Sequence, residues 1–253
     1  MCYDISLNAP IELITEQLPD LEVDPQLEID FSTTMHVLAQ SFRKYPVVYR
    51  EDGQLKMRLF EWGVIASYMN TPEKIKQSRA SMCNARSEKI LERASAWNRM
   101  RRQRCLVPVN GFFEHREIAG WKNKVPYYIH QPGRKVSFLA GIYNYSPIPD
   151  VETGEVKGTF AIVTRPANEL MKKIHNGGPN KHRMPIILND LSLLPWLDRS
   201  LSDEQLQAIL ESEFPASEMH AWPVFSIRTT KQRPDGKMCF EPFEWESLPD
   251  LSD

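Results

Sequence analysis

The sequence predicts a single α+β domain, with a mostly antiparallel, barrel-like central sheet flanked by helices. Three observations carry that expectation. Apolar, β-rich runs recur along the chain, helical signals are fewer and more local, and the two do not alternate in the regular βαβ order of a doubly wound sheet. A chain of 253 residues with 42% hydrophobic content is also long enough to bury one sizeable core.

The expected strands, in chain order, are Pro46 to Tyr49, Phe60 to Ser67, Tyr127 to His130, Phe138 to Tyr143, Thr159 to Thr164 and Pro185 to Leu188. Three helices are expected between and after them. Ser87 is placed to cap Glu88 to Trp97, Asn168 to cap Glu169 to His175, and Ser202 forms a capping box with Gln205 ahead of Leu206 to Leu210. Residues 19 to 34 are rich in acids, Ser and Thr, and the tail from about 241 to 253 is acidic, so both read as solvated connections. No internal repeat is present.

Composition excludes more than it assigns. The four cysteines at 2, 83, 105 and 239 form no C-x-x-C pair, which argues against a zinc site or a disulfide framework and for a reducing, cytoplasmic setting. No basic segment leads into an apolar run at the N-terminus, and nowhere do about 18 apolar residues follow one another, so export and membrane insertion are not expected. A net charge of -2 carries no global signal for nucleic acid, so any affinity for DNA must come from a local patch.

Chemistry concentrates in a few places. Cys2 follows Met1, and loss of the initiator methionine would leave an α-amine and a thiol on one residue. With pKa values near 8 and 8.5, both have usable nucleophilic fractions at neutral pH. An aldehyde could form a Schiff base with the amine and close onto the sulfur as a thiazolidine, although from position alone an incidental cysteine is the plainer reading. Glu114 ends the run Val107-Pro-Val-Asn-Gly-Phe-Phe-Glu, where partial burial would raise its pKa toward a general-acid role; a surface carboxylate at a strand end is an equal reading. Asn84 and Arg86 stand just ahead of a helix, suited to orienting groups and to gripping a phosphate, or simply to capping. Arg99, Arg101, Arg102 and Arg104, with Trp62, Phe112 and Phe113, could pair charge with base stacking, although a solvated helix face explains the arginines too. His175 and His182 flank a Gly/Pro loop and are candidate proton shuttles.

Taken together, the N-terminal Met-Cys, Trp62-Gly63, Asn84-Ala-Arg-Ser-Glu88, Val107 to Glu114, Phe160-Ala-Ile-Val-Thr164, Ala167-Asn168 with Ile174-His175, and Arg183-Met-Pro185 resemble the SRAP family of SOS-response-associated, abasic-site-processing proteins. The motifs keep family order from residue 1 to about 190, with an echo at Trp222-Pro-Val224. The resemblance implies one SRAP-like domain over residues 1–253, its core motifs ending near 230. It implies a covalent crosslink to abasic sites in single-stranded DNA through Cys2, with Asn84 holding the nucleophile, Glu114 as acid and base, and a histidine moving protons. Trp62, Arg86, Thr164 and Arg183 match positions implied to contact DNA. No metal or organic cofactor and no membrane partner is implied, and the location would be cytoplasmic, at the nucleoid when DNA is bound.

The catalytic histidine is assigned by spacing. The helix Ala167 to His175 keeps the family's spacing, whereas counting back from Arg183 puts Lys181 in the histidine position and His182 one residue off. His175 is therefore favoured, with Asn176 to Lys181 as an inserted surface loop.

This chain departs from the family pattern in two places. Tyr3-Asp4 replaces the usual Gly-Arg, putting an acid where a cation is expected, and Ile227-Arg-Thr-Thr230 replaces an Asn-Asn pair. Two other readings remain open from sequence: a thiol peptidase using Cys2, which lacks a nucleophile-elbow context, and a non-covalent reader of single-stranded DNA.

Overall fold

The computed structural model describes residues 2–229 and 231–251, the side chains of 28–30 excepted. The β-rich runs form two sheets. In the larger, nine-stranded sheet, the strands Gly158–Pro166, Ser137–Tyr145, Arg104–Val109, Lys44–Glu51 and Gln54–Trp62 pair in that order, each neighbour antiparallel. A parallel pairing of Thr159 and Phe160 with Glu61 and Trp62 then joins the last strand to the first and closes a ring. The expected barrel-like sheet is this ring, and closure removes the exposed edges that an open sheet would leave.

Large aromatics fill and seal it. Tyr45, Trp62 and Phe160 are fully buried, and the rings of Trp62 and Phe160 stack at 5.8 Å across the parallel joint. Burial of each such ring contributes about 1.5–3 kcal/mol. Helices Asp190–Trp196 and Asp203–Glu211 lie outside the ring, the second started by the Ser202–Gln205 capping box read from the sequence.

The smaller, five-stranded sheet is antiparallel throughout, in the order His220–Pro223, Val125–His130, Gly111–Arg116, Asp4–Leu7, Thr34–Leu38. The chain passes from one sheet to the other at Asn110, whose side chain bonds the backbone of Asn8 and of Lys135. Gly111 follows because nothing larger fits: a Cβ there would lie 2.5 Å from the Ile129 carbonyl oxygen. Asn110-Gly111 is thus a crossing between sheets rather than a hairpin tip.

Several sequence expectations are corrected. The expected helix Glu88 to Trp97 is two single turns, Ser87–Ile90 and Ala96–Arg99, and Ser87 lies inside the first rather than capping it. The Asn98 side chain bonds the Ile90 carbonyl and the Ser95 hydroxyl accepts from Trp97 N–H, so side chains take over the backbone bonds that a continuous helix would use. The strand expected over Phe60 to Ser67 runs instead over Gln54–Trp62 and stops at Gly63, whose φ is 103°. Pro185 to Leu188 divides into two short strands, Arg183–Pro185 and Ile187–Leu188.

Neither acidic segment is merely a solvated connection. Leu21–Val23 is a strand, Asp24 caps the helix Pro25–Asp30, and Leu27 is buried. In the tail, Trp245, Leu248 and Leu251 pack on the core, and Arg116 donates to the carbonyls of Pro249 and Asp250 at 2.6 and 2.9 Å. Among the described residues, no helix is long and apolar enough to cross a membrane.

Candidate active site

The small sheet and one helix end bring three of the expected residues, Cys2, Glu114 and His175, toward one another, and a strand on the ring holds a fourth, Asn84. Cys2 immediately precedes the strand Asp4–Leu7, which pairs with Gly111–Arg116 so that Asp4 lies opposite Phe113, next to Glu114. Asn84 opens the short strand Asn84–Arg86, held parallel to Ile162–Thr164 of the ring. His175 ends the helix Glu169–Ile174, started by the Asn168 side chain accepting from Met171 N–H at 3.0 Å, and this helix packs on the Glu114 strand.

All four side chains are buried. Burial pushes the Glu114 carboxyl up to about 8, so at neutral pH it is mostly protonated and able to donate. Burial pushes the His175 imidazole down to about 4, so it is neutral and able to accept. Its Nε2 lies 3.9 Å from a Glu114 carboxyl oxygen, while Nδ1 is held between the backbone N–H (3.1 Å) and carbonyl (2.9 Å) of Arg183. Burial, and then the nearby Glu114 charge, raise the Cys2 thiol well above its usual value. Its Sγ makes a weak contact of 4.0 Å to the Asp4 carbonyl.

Two features mark this cluster as more than core packing. Buried polar atoms are normally paired, yet the Asn84 side-chain oxygen and nitrogen and Glu114 Oε1 have no hydrogen-bond partner among the described residues. Leaving three such atoms unpaired costs about 1–3 kcal/mol each. A donor and an acceptor whose pKa values have crossed, the acid raised to about 8 and the imidazole lowered to about 4, beside unpaired polar atoms and a thiol, form the pattern of a site built to receive a polar reactant.

His182 stands apart from this arrangement. Its side chain is exposed and its φ is 59°, while its backbone N–H bonds the His175 carbonyl at 2.7 Å. Residues 176–181 leave and return without displacing the helix end, and Asn176 pins the departure by bonding both backbone groups of Glu117. His175→Ala is expected to slow the chemistry of the site, whereas His182→Ala is expected to leave its rate within about twofold; the reverse result, in a comparison of single-turnover rates, would transfer the role to His182.

The expected DNA contacts are placed less uniformly. Trp62 is 0% exposed, donates its indole N–H to the Cys83 carbonyl at 2.9 Å and stacks on Phe160, so it seals the ring and is not presented to a base. Phe112 and Phe113 are likewise buried. Thr164 is buried, and Arg183 is held by Glu88 and by the Thr164 carbonyl. Arg86 is exposed, with one bond to the Asn180 side chain at 2.7 Å. Of the arginine cluster, Arg99 and Arg102 are exposed, while Arg104 is buried and donates to the Trp196 carbonyl at 2.6 Å.

Sequence reasoning missed two partners of Asp4. His36 Nε2 lies 2.7 Å from Asp4 Oδ1, and Arg228 grips both carboxylate oxygens through Nε and Nη2. Burial raises the Asp4 carboxyl, but the bonds from His36 and Arg228 outweigh it and hold the group below its usual range. A buried acid in a strand signals that some cation must meet it. Nothing in the sequence says that the cation is 224 positions away.

The side chains of the candidate site sit where a closed sheet ring meets a smaller antiparallel sheet. Residues 1–227 match the family described as SOS response associated peptidase (SRAP), and the chain belongs to that family. It is 27% identical over 234 residues to the abasic site processing protein YoqW of Bacillus subtilis, spanning 90% of this chain and 93% of that one. The abasic site processing protein HMCES of Gallus gallus is 28% identical over 204 residues, which span 72% of this chain and 56% of that one. A crystal structure of a protein from Bacteroides thetaiotaomicron superposes with a TM-score of 0.82 at 29% identity, covering 96% of this chain and all of the other. Among the described residues, no group of three or more His, Cys, Asp or Glu side chains is placed to hold a metal ion.

Proposed function

We propose that this protein captures abasic sites in single-stranded DNA by forming a thiazolidine between Cys2 and the ring-opened sugar aldehyde. The observation that carries the reading is the buried group of Cys2, Glu114 and His175, with the Asn84 side chain buried and unpaired as well. Family membership and relatives described as abasic site processing proteins support it.

The chemistry balances without a cofactor. Ring opening of the abasic hemiacetal frees an aldehyde, and the Cys2 amine adds to its carbon. Proton donation by Glu114 to the departing hydroxyl gives an imine and one water. The thiol then adds across the imine carbon, its proton passing to nitrogen by way of a neutral base such as His175. The net change is one aldehyde and one aminothiol joined, with one water released and no redox change. The amine must be free, so Met1 must be removed first, because an acylated nitrogen forms no imine. Met1 itself lies outside the described residues.

The raised thiol pKa favours this order of events over a peptidase. A peptidase thiol is activated as the thiolate by a depressed pKa, whereas Cys2 is held protonated and suits second-step attack on an imine. Met1-free protein incubated with matched single-stranded oligonucleotides should give a heat-stable, slower band on a denaturing gel with the abasic strand alone. Peptide cleavage without a shift, or salt-sensitive binding with no covalent band on either strand, would replace this reading with the peptidase or the non-covalent reader respectively.

A further inference from the structure

Asp4 places a negative charge beside a site proposed to take a polyanion, and the structure supplies an answer to that charge. The Asp4 side chain is 2% exposed, while that of Arg228 is 45% exposed. The guanidinium therefore spans the boundary, with one edge bound to a buried carboxylate and the other facing out. Of its five N–H donors, Nε–H and one on Nη2 are spent on Asp4, which leaves three in a fixed plane on the exposed side. Its neighbourhood is that of the candidate active site: Glu114 and Tyr3 lie near enough to influence it electrostatically.

An arginine meant only to neutralise Asp4 could be buried with it. One that is half exposed and cannot swing away has lost its rotamer freedom before any ligand arrives, which lowers the entropic cost of a second, bidentate contact. His36, on the same Asp4 oxygen, holds the carboxylate from the other side and stiffens the mount. Arg165, Arg183 and Arg104 offer no such face, since each is buried and committed to partners within the protein.

We infer that Arg228, mounted on Asp4, is a phosphate-binding residue of this site, taking a backbone phosphate of the DNA strand next to the captured sugar. This rests on the reading of the site as one for abasic DNA. The Asp4–Arg228 pair then acts as a unit: Asp4 orients, Arg228 binds, and the acid at position 4 is compatible with a polyanionic substrate because the cation it holds lies between it and the strand.

The test uses a single strand bearing a tetrahydrofuran abasic analogue, which has no aldehyde and so reports binding apart from capture. Arg228→Ala should weaken binding about 10-fold and reduce the slope of log Kd against log salt by about 0.7, the value of one phosphate contact on a single strand. Arg228→Lys should restore the salt slope while recovering affinity only in part, because charge returns without the fork. Thermal melting of both variants checks the clasp: a lowered melting temperature with an unchanged salt slope would make Arg228 a structural tie alone and overturn the proposal. The outcomes separate from those of the function. If wild type binds the analogue but forms no adduct with the aldehyde-bearing strand, covalent capture fails and the phosphate site stands; if wild type forms the adduct and Arg228→Ala keeps the wild-type slope, only the phosphate site fails.

Discussion

Cys2→Ala is expected to form no heat-stable adduct with an abasic strand, and Cys2→Ser is expected to fail in the same way. Both variants keep the α-amine once Met1 is removed, so each can still form an imine, and borohydride reduction should trap it. What they lack is the sulfur that closes the five-membered ring, and a bare imine hydrolyses during denaturation. Wild type should give its band without borohydride. Protein that retains Met1 should be as inactive as Cys2→Ala, since its nitrogen at residue 2 is an amide, and mass spectrometry of the N-terminus identifies the form in each lane. Cys2 is buried, but a Cys→Ala change removes one sulfur atom, a loss that a core of this size tolerates. A borohydride-independent, heat-stable band from Cys2→Ala would end the thiazolidine reading.

Much of this arrangement was legible in the sequence, and the limits of legibility have physical causes. Two strands of the ring, Ser137–Tyr145 and Gly158–Pro166, read clearly because they hold continuous apolar runs, buried on both faces. The Asn168 and Ser202 caps read clearly because capping is a local matter of one side chain and a backbone N–H three residues on. Asp24-Pro25 carried the same kind of signal, a capping acid followed by a first-turn proline, and was masked by the acidic composition around it. Strand pairing is another matter: nothing local tells the segment at Asp4 to lie between Thr34–Leu38 and Gly111–Arg116.

The site divides along the same line. Glu114, Asn84 and His175 were nameable from their motifs, but the burial that sets Glu114 and His175 at about 8 and 4 is a tertiary property. Trp62 shows the opposite error, since an aromatic beside basic residues reads as a stacking platform until the ring closes over it. The Asp4–Arg228 pair, formed between chain ends, was beyond any local pattern.

Glu114→Gln is expected to make the protein both slower and more stable. Its carboxyl titrates at about 8 in the fold against 4.5 as the ordinary value. Between those values the folded chain holds a proton that the unfolded chain has released, so stability falls as pH rises through that window and levels off above about 8. At pH 7 the cost is about 3 kcal/mol, at about 1.4 kcal/mol per pH unit above the ordinary value. Glutamine is nearly the same shape and never ionises, so the variant escapes this cost. Its melting temperature should exceed that of wild type by several degrees at pH 8, with the difference closing toward pH 4.5. Capture should meanwhile slow by about 10²-fold, because an amide cannot donate the proton that expels the hydroxyl. The pH profile separates this from a general loss of site geometry. In wild type the rate needs the Cys2 amine free and Glu114 protonated, which gives a bell with both limbs near 8. The variant should keep the acid limb, set by the amine, and lose the alkaline one. An unchanged rate, or a bell that survives in Glu114→Gln, would return the carboxyl to a structural role and leave the proton to another donor.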